Sequence, residues 1–88
     1  MLILMENRIS DIHWSKPVRF EVERGTVRKV NGPLAALDYL VNRIEPEAPE
    51  CGRRARRICC SALRHEACPE EARALFIDAA KAAHFNVR

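Results

Sequence analysis

The stretch that decides the fold runs Cys51-Gly52-Arg53-Arg54-Ala55-Arg56-Arg57-Ile58-Cys59-Cys60-Ser61-Ala62-Leu63. Cys51, Ala55, Ile58, Cys59, Ala62 and Leu63 recur at i, i+4, i+7, i+8, i+11 and i+12, one apolar stripe on a helix. Arg53, Arg54, Arg56, Arg57 and Arg64 take the remaining faces, and no acidic residue stands between Glu50 and Glu66. The spacing predicts a helix from about Glu50 to Glu66. It should bury one side and turn a strongly positive side to solvent. On its wheel Cys59 falls on the buried stripe. Cys60 falls among Arg53, Arg56, Arg57 and Arg64.

Prolines punctuate the chain on both sides of this helix. Upstream, Asn31-Gly32-Pro33 starts another helix, with Pro33 suited to the first helical position. Leu34, Leu37, Leu40, Val41 and Ile44 repeat at helical spacing and are expected to face the core. Glu45-Pro46-Glu47-Ala48-Pro49 ends it, because proline cannot continue a helix and biases the residue before it to extended form. Further upstream, Val18, Phe20 and Val22 alternate with Arg19, Glu21 and Glu23, the period of a half-buried strand. Arg24-Gly25 supplies a turn and Thr26 to Val30 the return strand. Val27 and Val30 fall on opposite faces of an ideal strand, so either a bulge follows the turn or one valine is exposed. A lone hairpin is marginal and needs helices on one face.

Downstream, Cys68-Pro69-Glu70-Glu71 starts a last helix, with the glutamates at the positive end of its dipole. Ala72, Phe76, Ala79, Ala80 and Ala83 form its buried stripe, with Leu75 beside it. So many alanines allow close helix–helix approach. The fold class is therefore α+β, an N-terminal β-hairpin packed against three helices. A single domain over 14–85 is expected between tails at 1–13 and 86–88. Ile9 and Ile12 are expected to pack, with Trp14, onto that domain. Met5 is an alternative start, which would leave Met1 to Leu4 as an extension.

Composition fits this reading. The chain has 88 residues, 48% hydrophobic and 31% charged, which separates it from disordered chains. A chain this size buries about two-thirds of its unfolded surface, enough for one modest core. Net charge is +3, and Glu45, Glu47 and Glu50 directly precede the arginine run. No apolar run approaches the about 20 residues a membrane-spanning helix needs. Met1 to Met5 lack a basic flank and a full apolar core, so they do not read as a secretion signal. A cytoplasmic setting is expected, with the four cysteines as free thiols.

Several residues in order carry a resemblance. Lys16-Pro17-Val18 opens the first strand, a glycine turn follows, and Val30 precedes a helix with Ala36-Leu37 and Leu40. Then come a proline-containing linker, Ala55, Cys59 and Ala62-Leu63. The close is Pro69-Glu70, Ala72-Arg73, Phe76-Ile77, Ala79-Ala80 and Ala83. This pattern resembles the domain-of-unknown-function 982 family, small proteins abundant in rhizobia and their relatives. The resemblance covers roughly residues 14 to 85 and is strongest in the last helix. It implies an architecture and a bacterial cytoplasmic setting, and no activity. Ile44-Glu45-Pro46 stands where the family often carries a tryptophan before the linker proline, and the cysteine is doubled as Cys59-Cys60.

Four chemistries are open to these residues. Cys51, Cys59, Cys60, Cys68, His13 and His65 are of ligand type, but their C-x7-C-C-x7-C spacing lacks the short pairs of a structural zinc site. No metal or other cofactor is expected. Cys60 among arginines suits a thiol-based sensor, because electropositive surroundings favour reaction at a thiol. The arginine face of helix 51–65 suits phosphate contact, with the hairpin's Arg19, Arg28 and Lys29 adding charge that Glu21 and Glu23 partly cancel. Aromatic stacking series and zinc-finger motifs are missing. Enzyme chemistry has no nucleophile motif and no glycine-rich phosphate loop to stand on. The leading expectation is a small non-catalytic binding or regulatory module acting on an unknown protein partner. Its candidate surface is Arg53, Arg56, Arg57, Arg64 and Cys60. A homodimer through the hairpin edge is expected, since each strand of a lone hairpin has a free edge. The alternative is a nucleic-acid-binding accessory protein using the basic helix, and a minor one is the Cys60 sensor.

Overall fold

A computed structural model of the chain describes residues 12–23 and 25–88. The expectations for Met1 to Met5 and Ile9 lie outside the described residues, as do the side-chain readings at Val22 and Glu23 and the turn assignment at Arg24. The hairpin forms as β1 (Val18–Glu23) and β2 (Thr26–Val30). Gly25 takes φ 81°, the left-handed conformation that glycine adopts without penalty. Its N–H donates to Glu21 Oε2 at 2.7 Å. The register slips between Glu21 and Glu23, so the bulge lies on β1, before the turn, and Val27 is also left half-exposed.

The sheet has a third strand. Asn86–Val87, read from the sequence as tail, pairs antiparallel with β1 as β3, giving the order β2-β1-β3. The central strand is therefore β1, and among the described residues the sheet's two edges are β2 and the two-residue β3. Pairing fixes the faces. Val18 opposite Val30 and Phe20 opposite Arg28 and Val87 share the inner face. Arg19 opposite Lys29, and Glu21 opposite Val27 and Asn86, share the outer face. Arg28 is thus on the Phe20 side, not with Arg19 and Lys29 as expected. It stays exposed beside Asp38, Tyr39 and Arg43, because β2 is an edge strand.

Three helical segments cover the inner face: α1 (Pro33–Tyr39) running into a π turn (Leu40–Ile44), α2 (Pro49–Leu63) and α3 (Pro69–Ala82). The π turn is marked by Glu45 N–H donating to Leu40 O at 2.8 Å, five residues back. The first segment corrects the expected stripe. Pro33, Ala36, Leu40 and Ile44 are buried, whereas Leu34 and Val41 are 47% and 51% exposed. The small side chain of Ala36 lets the backbone dock close, and that turns Leu34 and Val41 to the rim. The stripes of α2 and α3 hold: Ala55, Cys59 and Ala62 face Ala72, Phe76, Ala79 and Ala80, all buried.

The single Trp, the single Tyr and all three Phe join in one cluster. Phe20 is its hub, with ring centroids 5.1 Å from Tyr39, 5.2 Å from Phe85 and 6.0 Å from Phe76. Trp14 extends it, 5.7 Å from Phe76. The segment carrying Trp14 is pinned by backbone: Trp14 N–H donates to Asn31 O at 2.6 Å. Ser15 N–H donates to Glu70 Oε2 at 3.0 Å, and Arg73 Nε donates to Lys16 O at 2.8 Å.

Two histidines end helices. His65 (φ 62°) and His84 (φ 69°) occupy the left-handed position just past α2 and α3. Glu66 N–H donates to Ser61 O at 2.8 Å and His65 N–H to Ala62 O at 3.0 Å. Phe85 N–H to Ala80 O and His84 N–H to Lys81 O, both 2.9 Å, repeat the pattern. These are Schellman motifs with histidine where glycine is usual. His84→Gly should stabilise the protein by about 0.5–1 kcal/mol, the left-handed cost of an L-residue less the entropy glycine loses. A denaturant midpoint that falls on this change would contradict the assignment.

Candidate basic interface on helix α2

The face of α2 opposite its buried stripe carries Arg53, Arg56, Arg57, Cys60 and Arg64, which together line a shallow depression of about 230 Å³. All the residues singled out from the sequence are therefore brought together. The helix holds them rigidly, because Ala55, Cys59 and Ala62 lock its other face against α3. Their charges are not equally free. Arg56 Nε lies 2.7 Å from Glu45 Oε2, a carboxylate that the linker folds back over the start of the helix. The N–H is not aimed at that buried oxygen, so the contact is charge pairing and not a formed hydrogen bond. Arg64 sits 3.3 Å from Glu66, with both side chains more than half exposed, and such a pair contributes little. Among the described residues Arg53 and Arg57 have no carboxylate partner.

The four cysteines are free thiols and differ in exposure. Cys59 is buried, and burial pushes its thiol up to about 12, with the neighbouring Cys60 adding to the rise. Its burial is as the helical wheel predicts, and a thiol so placed is expected to react slowly. Cys60 and Cys51 are half-buried and Cys68 is exposed. A maleimide time course read by mass spectrometry should therefore label Cys68 first, Cys60 and Cys51 next, and Cys59 only on unfolding. Labelling of Cys59 before Cys60 would overturn the assigned helix face. Among the described residues no three His, Cys, Asp or Glu converge as a metal-binding group. No helix there is long and apolar enough to cross a membrane.

The model of a family described as "Protein of unknown function (DUF982)" matches residues 16–87. The chain belongs to the DUF982 family. No curated protein and no solved structure matches it. The DUF982 match runs from the residues before β1 through β3, so it takes in the short strand that the pattern of residues had left as tail.

The DUF982 fold also assembles a second set of cations that sequence reasoning missed. Lys16, Arg19, Arg73 and Arg88 gather with Pro17 and Val27 around a depression of about 550 Å³ on the outer side of the sheet. Arg88 is placed by strand pairing, its N–H donating to Arg19 O at 2.8 Å and its guanidinium lying 3.2 Å from Glu21 Oε1. Glu21 is the local counter-charge. The Gly25 N–H, then Arg88 and Asn86, hold its carboxyl below the usual carboxylate range. No signal in the sequence marks this set, because its members come from three separated segments.

Proposed function

We propose that this protein is a small, non-catalytic binding or regulatory module of the cytoplasm that acts by protein–protein contact. It uses the α2 face to dock an acidic surface of a protein partner. The observation that carries this reading is a helix face, packed on its other side, on which Arg53 and Arg57 have no carboxylate partner among the described residues and flank a shallow depression. Arginine is among the residues favoured at interface hot spots, and a depression bounded by side chains suits a projecting carboxylate. The core cluster takes up every aromatic ring of the chain. That leaves the basic face without the stacking platform that single-stranded nucleic acid binders use. A second copy would add at the open β2 edge. Val18 is already buried, so only Val27 would gain cover.

The test is the triple variant Arg53→Ala, Arg57→Ala, Arg64→Ala. These side chains lie off the buried stripe, so the fold should persist. The partner recovered by the unaltered protein from its host should be lost, and duplex DNA should bind weakly at physiological salt. Three phosphate contacts would instead give a slope of log K against log salt of about −2.7, from about −0.9 per contact. A titration showing that slope, abolished in the variant, would replace the protein partner with nucleic acid.

A further inference from the structure

We propose that the outer depression formed by Lys16, Arg19, Arg73 and Arg88 binds the diphosphate group of a small phosphorylated molecule. The geometry begins with placement. Arg73 reaches from α3 and is anchored through Nε to the carbonyl of Lys16 at 2.8 Å. That bond uses the donor nearest the stem and leaves the terminal fork of the guanidinium, the part that grips phosphate oxygens. Arg88 is fixed at its backbone by β1, through Arg19 O at 2.8 Å. Arg19 projects from the central strand onto the same outer face. Lys16 closes the rim from the segment pinned to α3. Two of the cations are thus held before any ligand arrives, which lowers the ordering cost of binding.

Charge and size then choose the ligand. Among the described residues no carboxylate lines the depression. The nearby Glu21 pairs with Arg88, and Glu70 is engaged by the N–H of Ser15. Among the described residues three cations therefore remain uncompensated there, in about 550 Å³, within the range of small-molecule sites. A single carboxylate answers one of them. A diphosphate concentrates several charges over a few ångströms and presents oxygens in more than one direction, which suits cations arriving from three segments. Pro17 and Val27 give the depression an apolar floor for the ligand's non-phosphate part, and no aromatic ring lines it for a base to stack on. The site shares no residue with the α2 face.

Titration of the full chain with inorganic pyrophosphate, by calorimetry or by amide chemical shifts, tests this. Arg19→Glu and Lys16→Glu reverse charges on exposed side chains, and circular dichroism checks that each variant folds. Each should weaken pyrophosphate by about tenfold or more, the loss expected for a charge-assisted contact. Arg53→Glu on α2 should leave affinity within about twofold, since that charge lies outside the site and is screened. Monophosphate should bind more weakly than pyrophosphate. Equal binding of the two anions, an equal loss in Arg53→Glu, or no binding of pyrophosphate in the low-millimolar range overturns the proposal. So does an oligonucleotide that binds where pyrophosphate does not and that Arg19→Glu releases.

Discussion

Replacing Phe76 with alanine is expected to remove about 3–5 kcal/mol of unfolding free energy, the range for emptying a buried aromatic site. Total stability of a small domain is on the order of 5–15 kcal/mol, so the variant should be partly unfolded near body temperature. The reason is position as much as size. Phe76 is fully buried and touches rings from two other segments, Trp14 and Phe20, so it ties α3 to both the segment that leads into β1 and the sheet. The alanines around it on α3 have no side chains long enough to collapse into the void. Urea unfolding followed by circular dichroism reads the change. A midpoint shift worth less than about 1 kcal/mol would mean that the site relaxes, and the picture of one linked aromatic cluster would fail.

Gly52→Ala is expected to destabilise by about 1–3 kcal/mol, although the same change at an exposed helix position stabilises by up to about 1 kcal/mol. The sign is decided by the linker. A Cβ at position 52 would sit 2.6 Å from Glu45 Cγ and 2.9 Å from Glu45 Cα. The Cγ can swing away, but the Cα is backbone, fixed at the end of the π turn. The first turn of α2 must then lift from Glu45, which also breaks the charge pairing with Arg56. Thermal melts of Gly52→Ala and of the double variant Gly52→Ala, Glu45→Gly separate the causes. Removing the Glu45 side chain should restore little, because the backbone clash stays. Full recovery in the double variant would place the whole effect in Cγ.

What could be read from the residues alone followed from periodicity, and what could not followed from pairing. Ala72, Phe76, Ala79, Ala80 and Ala83 spell out a face because α3 repeats it over several turns, and Phe76 lies where that face predicts. The same holds for α2, where burial and charge separate cleanly around the helix. Asn86–Val87 is too short for any period, and it is a strand only because β1 offers it partners. The left-handed ends at His65 and His84 were hidden for a chemical reason. Glycine is the residue that announces such a stop, and histidine adopts it here under the pull of the carbonyls behind it. The candidate face on α2 was legible in full, since its members share one helix. What sequence could not show was that Glu45, outside the helix, takes back part of Arg56's charge. The outer depression was illegible because Lys16, Arg19, Arg73 and Arg88 meet only when the sheet and α3 are in place.

The π turn at Leu40–Ile44 bears on how related chains should be aligned. Such a turn amounts to an α-helix carrying one surplus residue, and the helix absorbs it as a local swelling. A homologue lacking that residue would keep Pro33, Ala36 and Leu40 in step, then reach the linker proline one position early. An alignment should therefore open a one-residue gap inside this segment and nowhere near it. Deleting Asn42, whose side chain is exposed, makes the same edit in the laboratory. The shortened segment should either draw Ile44 out of the core or rebuild as an uninterrupted α-helix. The amide exchange of Glu45, which now donates five residues back, distinguishes the two.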